Sequence, residues 1–253
     1  MKDDSLEHRE RLAAEAEFHN RRFAEEEGRS QDRYYGAINH GLFAYLDKVV
    51  AAARGARVLE LGCAKGVRSV TIAEVADELV GVDISSVAIG MARERVDGAG
   101  LHNVAFSVMD AHQLALPDQA FDLVFGSGII HHLDLDRCFR ELSRVLRPGG
   151  QAIFMEPLGH NPMINLYRRM TPEARTPDEH PLLRRDFRDA KRHFAAIDLD
   201  FYGFTTLAAV SFRREAVQKP LLKLGIALDW ALARVPGIRW AFWHCCMTMR
   251  KAP

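Results

Sequence analysis

Between residues 57 and 157 the chain alternates short apolar runs with segments of helical period, and this order constrains the fold more than any other feature. RVLEL (57–61), ELVGVDI (78–84), NVAFSVMD (103–110), AFDLVFGSG (120–128) and QAIFMEP (151–157) read as strands. VRSVTIAEVA, SSVAIGMARERVDGAG and DLDRCFRELSRVL lie between them and read as helices. Strands that take turns with helices pair in parallel, because each helix returns the chain to the same end of the sheet by a right-handed crossover. The predicted fold is α/β: a doubly wound, seven-stranded, mostly parallel sheet whose last strand is antiparallel. Ser85 or Ser86 starts one helix as its N-cap, and glycines close it.

Around this core the pattern changes. Residues 1–54 form a predicted helical cap, with helices over 5–27 and 37–53. Residues 55–157 are the ligand-binding core. Residues 158–195 are rich in proline and read as an irregular lid or substrate segment, ending in a helix at RRDFRDAKRHF. Residues 196–253 supply two more strands and an apolar helix over 214–235.

The 34 basic residues balance 34 acidic ones, so nothing suggests the clustered positive charge that a nucleic-acid backbone demands. Cys63, Cys138, Cys245 and Cys246 form no C-x-x-C, and the adjacent pair is badly spaced for a disulfide or a metal site. A reducing cytoplasm is the expected location, with no metal expected. The charged start MKDDSLEHRE is no signal peptide, and no apolar run reaches the ~18 residues of a membrane span.

In a doubly wound sheet the ligand lies beyond the carboxyl ends of the strands. The first such end is VLELGCAKG (58–66), where a glycine turn carries both Glu60 and Lys65. A P-loop needs a Lys followed by Ser or Thr, and here Lys65 precedes Gly66. A dinucleotide fingerprint starting at Gly62 needs glycines at 64 and 67, which are Ala64 and Val67.

ELGCAKG resembles the E-x-G-x-G-x-G motif of class I methyltransferases, with Ala64 in place of the middle glycine. VGVDIS resembles their second-strand acid. MDAHQLALPDQAFDLVFGSGIIHHL and ELSRVLRPGGQAIFMEP resemble the stretches that follow, in the same order. This resemblance spans about residues 55–157 and implies S-adenosylmethionine as cofactor. It also answers why an acid sits at the glycine turn: a sulfonium and an ammonium attract a carboxylate, which a pyrophosphate would repel.

The resemblance implies a cofactor set. Glu60 orients the turn or meets the amino-acid part of the cofactor, which Gly62, Cys63, Ala64 and Gly66 let approach closely. Asp83 takes the ribose hydroxyls, and Ile84 packs on adenine. Asp110 accepts from the adenine amino group beside Ala111. Ser127 stands at the fourth strand's end, and Tyr34 or Tyr35 reaches the carboxylate. Lys65 is expected to face solvent.

Methyl transfer asks the protein to position and desolvate, and sometimes to remove a proton. His131 and His132 follow the fourth strand, and His160 follows the fifth; His132 and His160 are the candidate bases. The [DN]-P-P-[YF] sequence carried by family members that methylate amino groups of nucleic acids or glutamine is replaced here by GSGI, which leaves small molecules. Eight Lys/Arg against five Asp/Glu between 168 and 192 suit a solvated face, an anionic substrate or a lipid surface. The 214–235 helix is expected to bury against the sheet, roof a substrate pocket or touch a membrane.

The expected function is methylation of an O, N or C nucleophile on a specialised metabolite or lipid-like precursor. The alternatives are a non-catalytic subunit that binds S-adenosylmethionine for regulation or assembly, and a NAD-dependent oxidoreductase.

Overall fold

A computed structural model describes residues 3–24, 35–171, 179–212 and 214–253. Seven strands form one sheet: β1 (Arg57–Leu61), β2 (Glu78–Asp83), β3 (Val104–Val108), β4 (Phe121–Ser127), β5 (Leu146–Pro157), β6 (Ala196–Tyr202) and β7 (His244–Arg250). Their order is β3-β2-β1-β4-β5-β7-β6. β1 to β5 pair in parallel, and β7 runs antiparallel between β5 and β6. The seven-stranded, mostly parallel sheet with an antiparallel last strand is thus present. β5 begins earlier than expected because RPGG is absorbed as an irregularity in its pairing with β4.

Helices α1 (Asp3–Ala24), α2 (Asn39–Ala53), α3 (Val67–Ala73), α4 (Ser86–Gly98) and α5 (Leu135–Val145) precede or link these strands. α6 (Pro162–Met170), α7 (Asp186–Ala190), α8 (Thr206–Ala209) and α9 (Glu215–Leu232) follow β5. Ser85 caps α4, its side chain accepting from Ala88 N. Asp134 caps α5 in the same way, accepting from Arg137 N.

Successive strand residues point to opposite faces, so the sheet divides its apolar side chains between two cores. Leu59, Leu61, Val124 and Phe154 join Cys138, Phe139 and Leu142 of α5 on one face. Val58, Leu123, Phe125, Ile153 and Met155 join Tyr45, Val49 and Ala53 of α2 on the other. Continuous apolar strands are what burial on both faces requires. The Tyr45 hydroxyl donates to Gly126 O at 2.8 Å, tying α2 to the end of β4.

After β5 the structure departs from the irregular segment that the prolines suggested. α6 is a regular helix. Asn161 is its N-cap, accepting from Met163 N and Ile164 N, and Pro162 occupies the first turn, where a missing N–H costs nothing. The expected 184–194 helix shortens to five residues. The apolar helix spans 215–232 and is anchored by buried Asp229, which accepts from Phe204 N, Thr205 N and the Thr205 and Thr206 hydroxyls. Among the described residues no helix is long and apolar enough to cross a membrane.

Candidate active site

The carboxyl ends of β1 to β5 open into a cavity of about 400 Å3, covered by α1 and by the chain entering α2. Leu12, Glu15, His19 and Phe23 of α1 line one side, and Tyr35 and Leu42 line another. The floor is made of the strand ends, which bring Gly62, Ala64, Asp83, Ile84, Asp110, Ala111, Ser127 and His132 to one space. Tyr34 lies outside the described residues.

Three residues expected near the ligand lie behind the wall. Cys63 packs on Ile89 and Phe106 in a small apolar cluster. Gly66 is buried against α4, where a Cβ would come within 2.9 Å of Ala92 Cβ. Glu60 is buried beneath the turn and accepts a hydrogen bond from the Ser69 hydroxyl. It therefore holds α3 to β1 instead of facing the cavity. Lys65 is half-buried, its ammonium 5.9 Å from the Phe23 ring centroid, and so does not project into open solvent.

The turn itself is left-handed at three points: Gly62 (φ 69°), Ala64 (φ 47°) and Gly66 (φ 70°). Ala64 accepts this geometry although it is not glycine, at a conformational cost of about 1–2 kcal/mol. Its amide repays part of that by donating to Asp83 Oδ2 at 2.9 Å, while Ser85 N donates to Oδ1 at 2.9 Å. Asp83 thus joins the turn after β1 to the end of β2. Burial raises its carboxyl above the ordinary value, and these backbone donors oppose the shift.

Asp110 is fixed by a residue that the sequence did not single out. His112 Nδ1 lies 2.7 Å from Asp110 Oδ1, and Asp134 N donates to His112 Nε2 at 2.9 Å. Because Nε2 accepts, the ring proton sits on Nδ1 and points at Asp110.

Beyond β4 the chain turns through Ile130–His132 as a single 3-10 turn. His131 faces inward, its Nδ1 2.6 Å from Glu156 Oε2, while Glu156 Oε1 accepts from Ile129 N at 2.9 Å and Ile130 N at 3.1 Å. His132 faces the cavity, with Nδ1 3.8 Å from Glu15 Oε1 of α1. His160 is exposed and away from the cavity lining; its Nε2 accepts from Arg184 N at 2.9 Å. His244 at the start of β7, Met155 and Arg68 join the lining without having been anticipated. The first residue of a distant antiparallel strand carries no local signal that it will reach this space.

The donor set suits a nucleoside bearing a cation. Two carboxylates, Asp83 and Asp110, stand at neighbouring strand ends, where vicinal hydroxyls and an exocyclic amine would each find an acceptor. Ile84, Met109 and Leu133 give a flat ring apolar surfaces.

Comparison with known proteins agrees with this geometry. Residues 58–150 match the family described as a methyltransferase domain. The core of the chain is thus similar to class I methyltransferase domains. Methyltransferase GfsG of Streptomyces halstedii is 37% identical over 100 residues, covering 38% of this chain and 36% of that protein. A ubiquinone biosynthesis O-methyltransferase of Sinorhizobium fredii is 33% identical over 98 residues, covering 38% and 39%. The matched segment therefore spans under half the length of these relatives. In fold, Haemonchus contortus phosphoethanolamine N-methyltransferase 2, solved with phosphomonomethylethanolamine and S-adenosylhomocysteine, aligns with a TM-score of 0.61 at 19% identity, over 89% of this chain and 59% of that one. The [4+2]-cyclase SpnF aligns with a TM-score of 0.56 at 23% identity, over 83% and 80%. The cofactor of the methyltransferase domain is S-adenosylmethionine, and the lining of the cavity fits it.

Burial lifts Glu60 from the ordinary 4.5 to about 7, with the Ser69 hydroxyl and Arg68 opposing the shift. A carboxyl raised in the fold favours the folded state fully below its unfolded value of 4.5, and that contribution is lost as pH rises through about 7. Glu60→Gln should therefore match the parent in stability near pH 4 and exceed it at pH 9 by on the order of 3 kcal/mol. Urea unfolding at the two pH values measures the difference; a gap that does not change with pH would show that the fold leaves the carboxyl of Glu60 at its ordinary value.

Proposed function

We propose that this chain transfers the methyl group of S-adenosylmethionine to an O, N or C nucleophile of a small molecule, a specialised metabolite or a lipid-like precursor. The observation that carries the reading is the convergence of Asp83, Asp110 and the Gly62–Ala64 turn on one cavity that His132 and His244 also line. A binding subunit would need the first group and have no use for the histidines.

In this reading Asp83 accepts from the ribose hydroxyls with the lone pairs that its two backbone donors leave, and Asp110 accepts from the adenine amine. Ile84, Ala111 and Ser127 complete the adenosine side, and Tyr35 faces the amino-acid end. Glu60, Cys63 and Gly66 act indirectly, by fixing the turn. When bound, S-adenosylmethionine supplies an electrophilic methyl carbon. The protein's part is then to hold the acceptor in line, exclude water with α1, and take a proton where the nucleophile carries one. His132 is the candidate for that last task, because it borders the cavity and Glu15 lies beside it. His160 is too far from the lining to share it.

The proposal puts the protein in the cytoplasm, in keeping with four buried cysteines that form no disulfide. Contact with a lipid surface through α9 is a second part of the reading. Val217, Leu224 and Leu228 form a stripe along the helix, and the latter two are 57% and 46% exposed. Lys219 and Lys223 lie on the other side of the helix, about 120–160° round from that stripe. Leu224→Glu with Leu228→Glu should abolish co-sedimentation with vesicles of anionic phospholipid. Absence of such binding in the parent protein would remove this part.

Calorimetry tests the cofactor assignment. S-adenosylhomocysteine should bind in the micromolar range and NAD should not bind measurably. Asp83→Ala should weaken the former by on the order of 2–4 kcal/mol, since paired bonds to a charged acceptor are lost together with a tie to the turn. Equal affinity in a folded variant would refute the ribose role.

The acceptor is identified by incubating a metabolite extract with isotopically labelled S-adenosylmethionine and isolating the labelled product. On that substrate His132→Ala should slow the single-turnover rate by about 100-fold or more, and the loss should shrink toward pH 10, where the acceptor ionises unaided. A rate within a few-fold of the parent from pH 6 to 10 would rule His132 out as the base.

A further inference from the structure

His244 lines the cavity and is only 6% exposed, so its small open area faces that space. It stands opposite Pro157 in the β5–β7 register. Along the sheet this is two strands beyond β4, roughly 10 Å from its tip at ~4.8 Å per strand. The carboxylates that suit a nucleoside stand on the other side, at β2 and β3. His244 therefore borders the part of the cavity that a nucleoside leaves open.

Its two nitrogens have different surroundings. Nδ1 is enclosed by protein and has no hydrogen-bond partner among the described residues. Trp243 crowds the ring at 4.5 Å between centroids, and Tyr35 lies at 6.1 Å. An N–H stranded in such a place is rarer and less tolerable than a lone pair. The ring proton accordingly belongs on Nε2, the nitrogen left to serve the cavity.

We propose that His244 is the recognition residue for the methyl acceptor, its Nε2–H donating a hydrogen bond to a substrate oxygen, so that the substrate class is one with a carbonyl or similar acceptor oxygen near the methylated atom. This rests on the reading of the site as a methyltransferase centre.

The surroundings keep the ring neutral and so distinguish it from a base. Burial lowers the affinity of His244 for a second proton well below the ordinary imidazole value, and the charges of Arg168 on α6 and His131 after β4 act in the same direction. Glu156 on β5 is the nearby group of opposite charge, and its oxygens are engaged by His131 and by the amides of Ile129 and Ile130. A proton taken up at Nδ1 would find no acceptor. His244 can orient an oxygen; proton removal belongs to His132.

The first test needs no substrate. Long-range 1H–15N spectra of labelled protein saturated with S-adenosylhomocysteine, assigned with His244→Phe, should show His244 as the neutral Nε2–H tautomer through the pH range in which an ordinary imidazole takes up its second proton. A Nδ1–H tautomer, or an imidazolium above pH 6, would overturn the proposal.

The second uses the labelled product. That product should have an acceptor oxygen near the new methyl group. His244→Phe should raise KM about 10-fold or more, with kcat and S-adenosylhomocysteine affinity within about 3-fold of the parent. His244→Gln, which presents an N–H at a similar reach, should recover most of the loss. An unchanged KM in His244→Phe, or a kcat that falls with a displaced acid limb in the pH profile, would overturn it. If the parent yields no labelled product, the methyl-transfer reading fails, and the tautomer spectra still decide the state of His244.

Discussion

The carboxylate of Glu156 joins the sheet to the wall of the cavity. It is fully buried on β5 and has three partners, the amides of Ile129 and Ile130 and the imidazole of His131. Those partners belong to the turn after β4, which also carries Gly128, His132 and Leu133 into the lining. A buried carboxylate is tolerated when its oxygens are satisfied, and satisfying them requires this turn to hold one conformation. His131 O in turn accepts from His180 N at 2.6 Å, which extends the same joint into the segment after α6. Two adjacent histidines thus divide their work: one is tied into the structure, and the other is left at the cavity.

A similar economy runs through the cofactor side. Asp83 and Asp110 each have a structural partner as well as a place in the lining. Asp83 holds the amides of Ala64 and Ser85, and Asp110 is held by His112, which is itself fixed by the start of α5. Their orientation is therefore set before any ligand arrives, which reduces the ordering cost of binding. Glu60 shows the opposite solution. It is the acid that the motif makes most conspicuous, yet it is spent on Ser69 beneath the turn. Electrostatic attraction to a cation reaches the cavity from Glu60 only through the intervening backbone.

The lining of the cavity has two origins. The segment matched to the methyltransferase domain ends at residue 150, whereas Tyr35, Met155 and His244 lie outside it. Asp83, Asp110, the Gly62–Ala64 turn and His132 come from the matched segment, whereas the N-terminal cap, the end of β5 and the start of β7 add lining from outside it. One fold can serve different substrates, and even the cyclisation named for SpnF, by varying those parts around a constant sheet.

What the sequence determined by itself was local. The alternation of strands and helices from 57 to 157 follows from periodicity, and the two-faced burial of the sheet from its continuous apolar strands. Asn161 followed by Pro162 was a legible helix start that the density of prolines around it obscured. Asp83, Asp110 and Ala64 were legible because strand-end motifs are contiguous in the chain. What the tertiary structure decided was which side of each strand end faces the cavity. Glu60 and Cys63 turn away from it, because a strand alternates its side chains and the turn leaves them on the packed side. His132 turns toward it and His131 away, since neighbouring residues of a 3-10 turn point about 120° apart. His112 and His244 acquire their places only when the loop after β3 meets the start of α5 and β7 slots between β5 and β6, contacts that span 22 residues in one case and 42 and 87 in the other. Such contacts depend on which elements become neighbours, and no local pattern of residues encodes that.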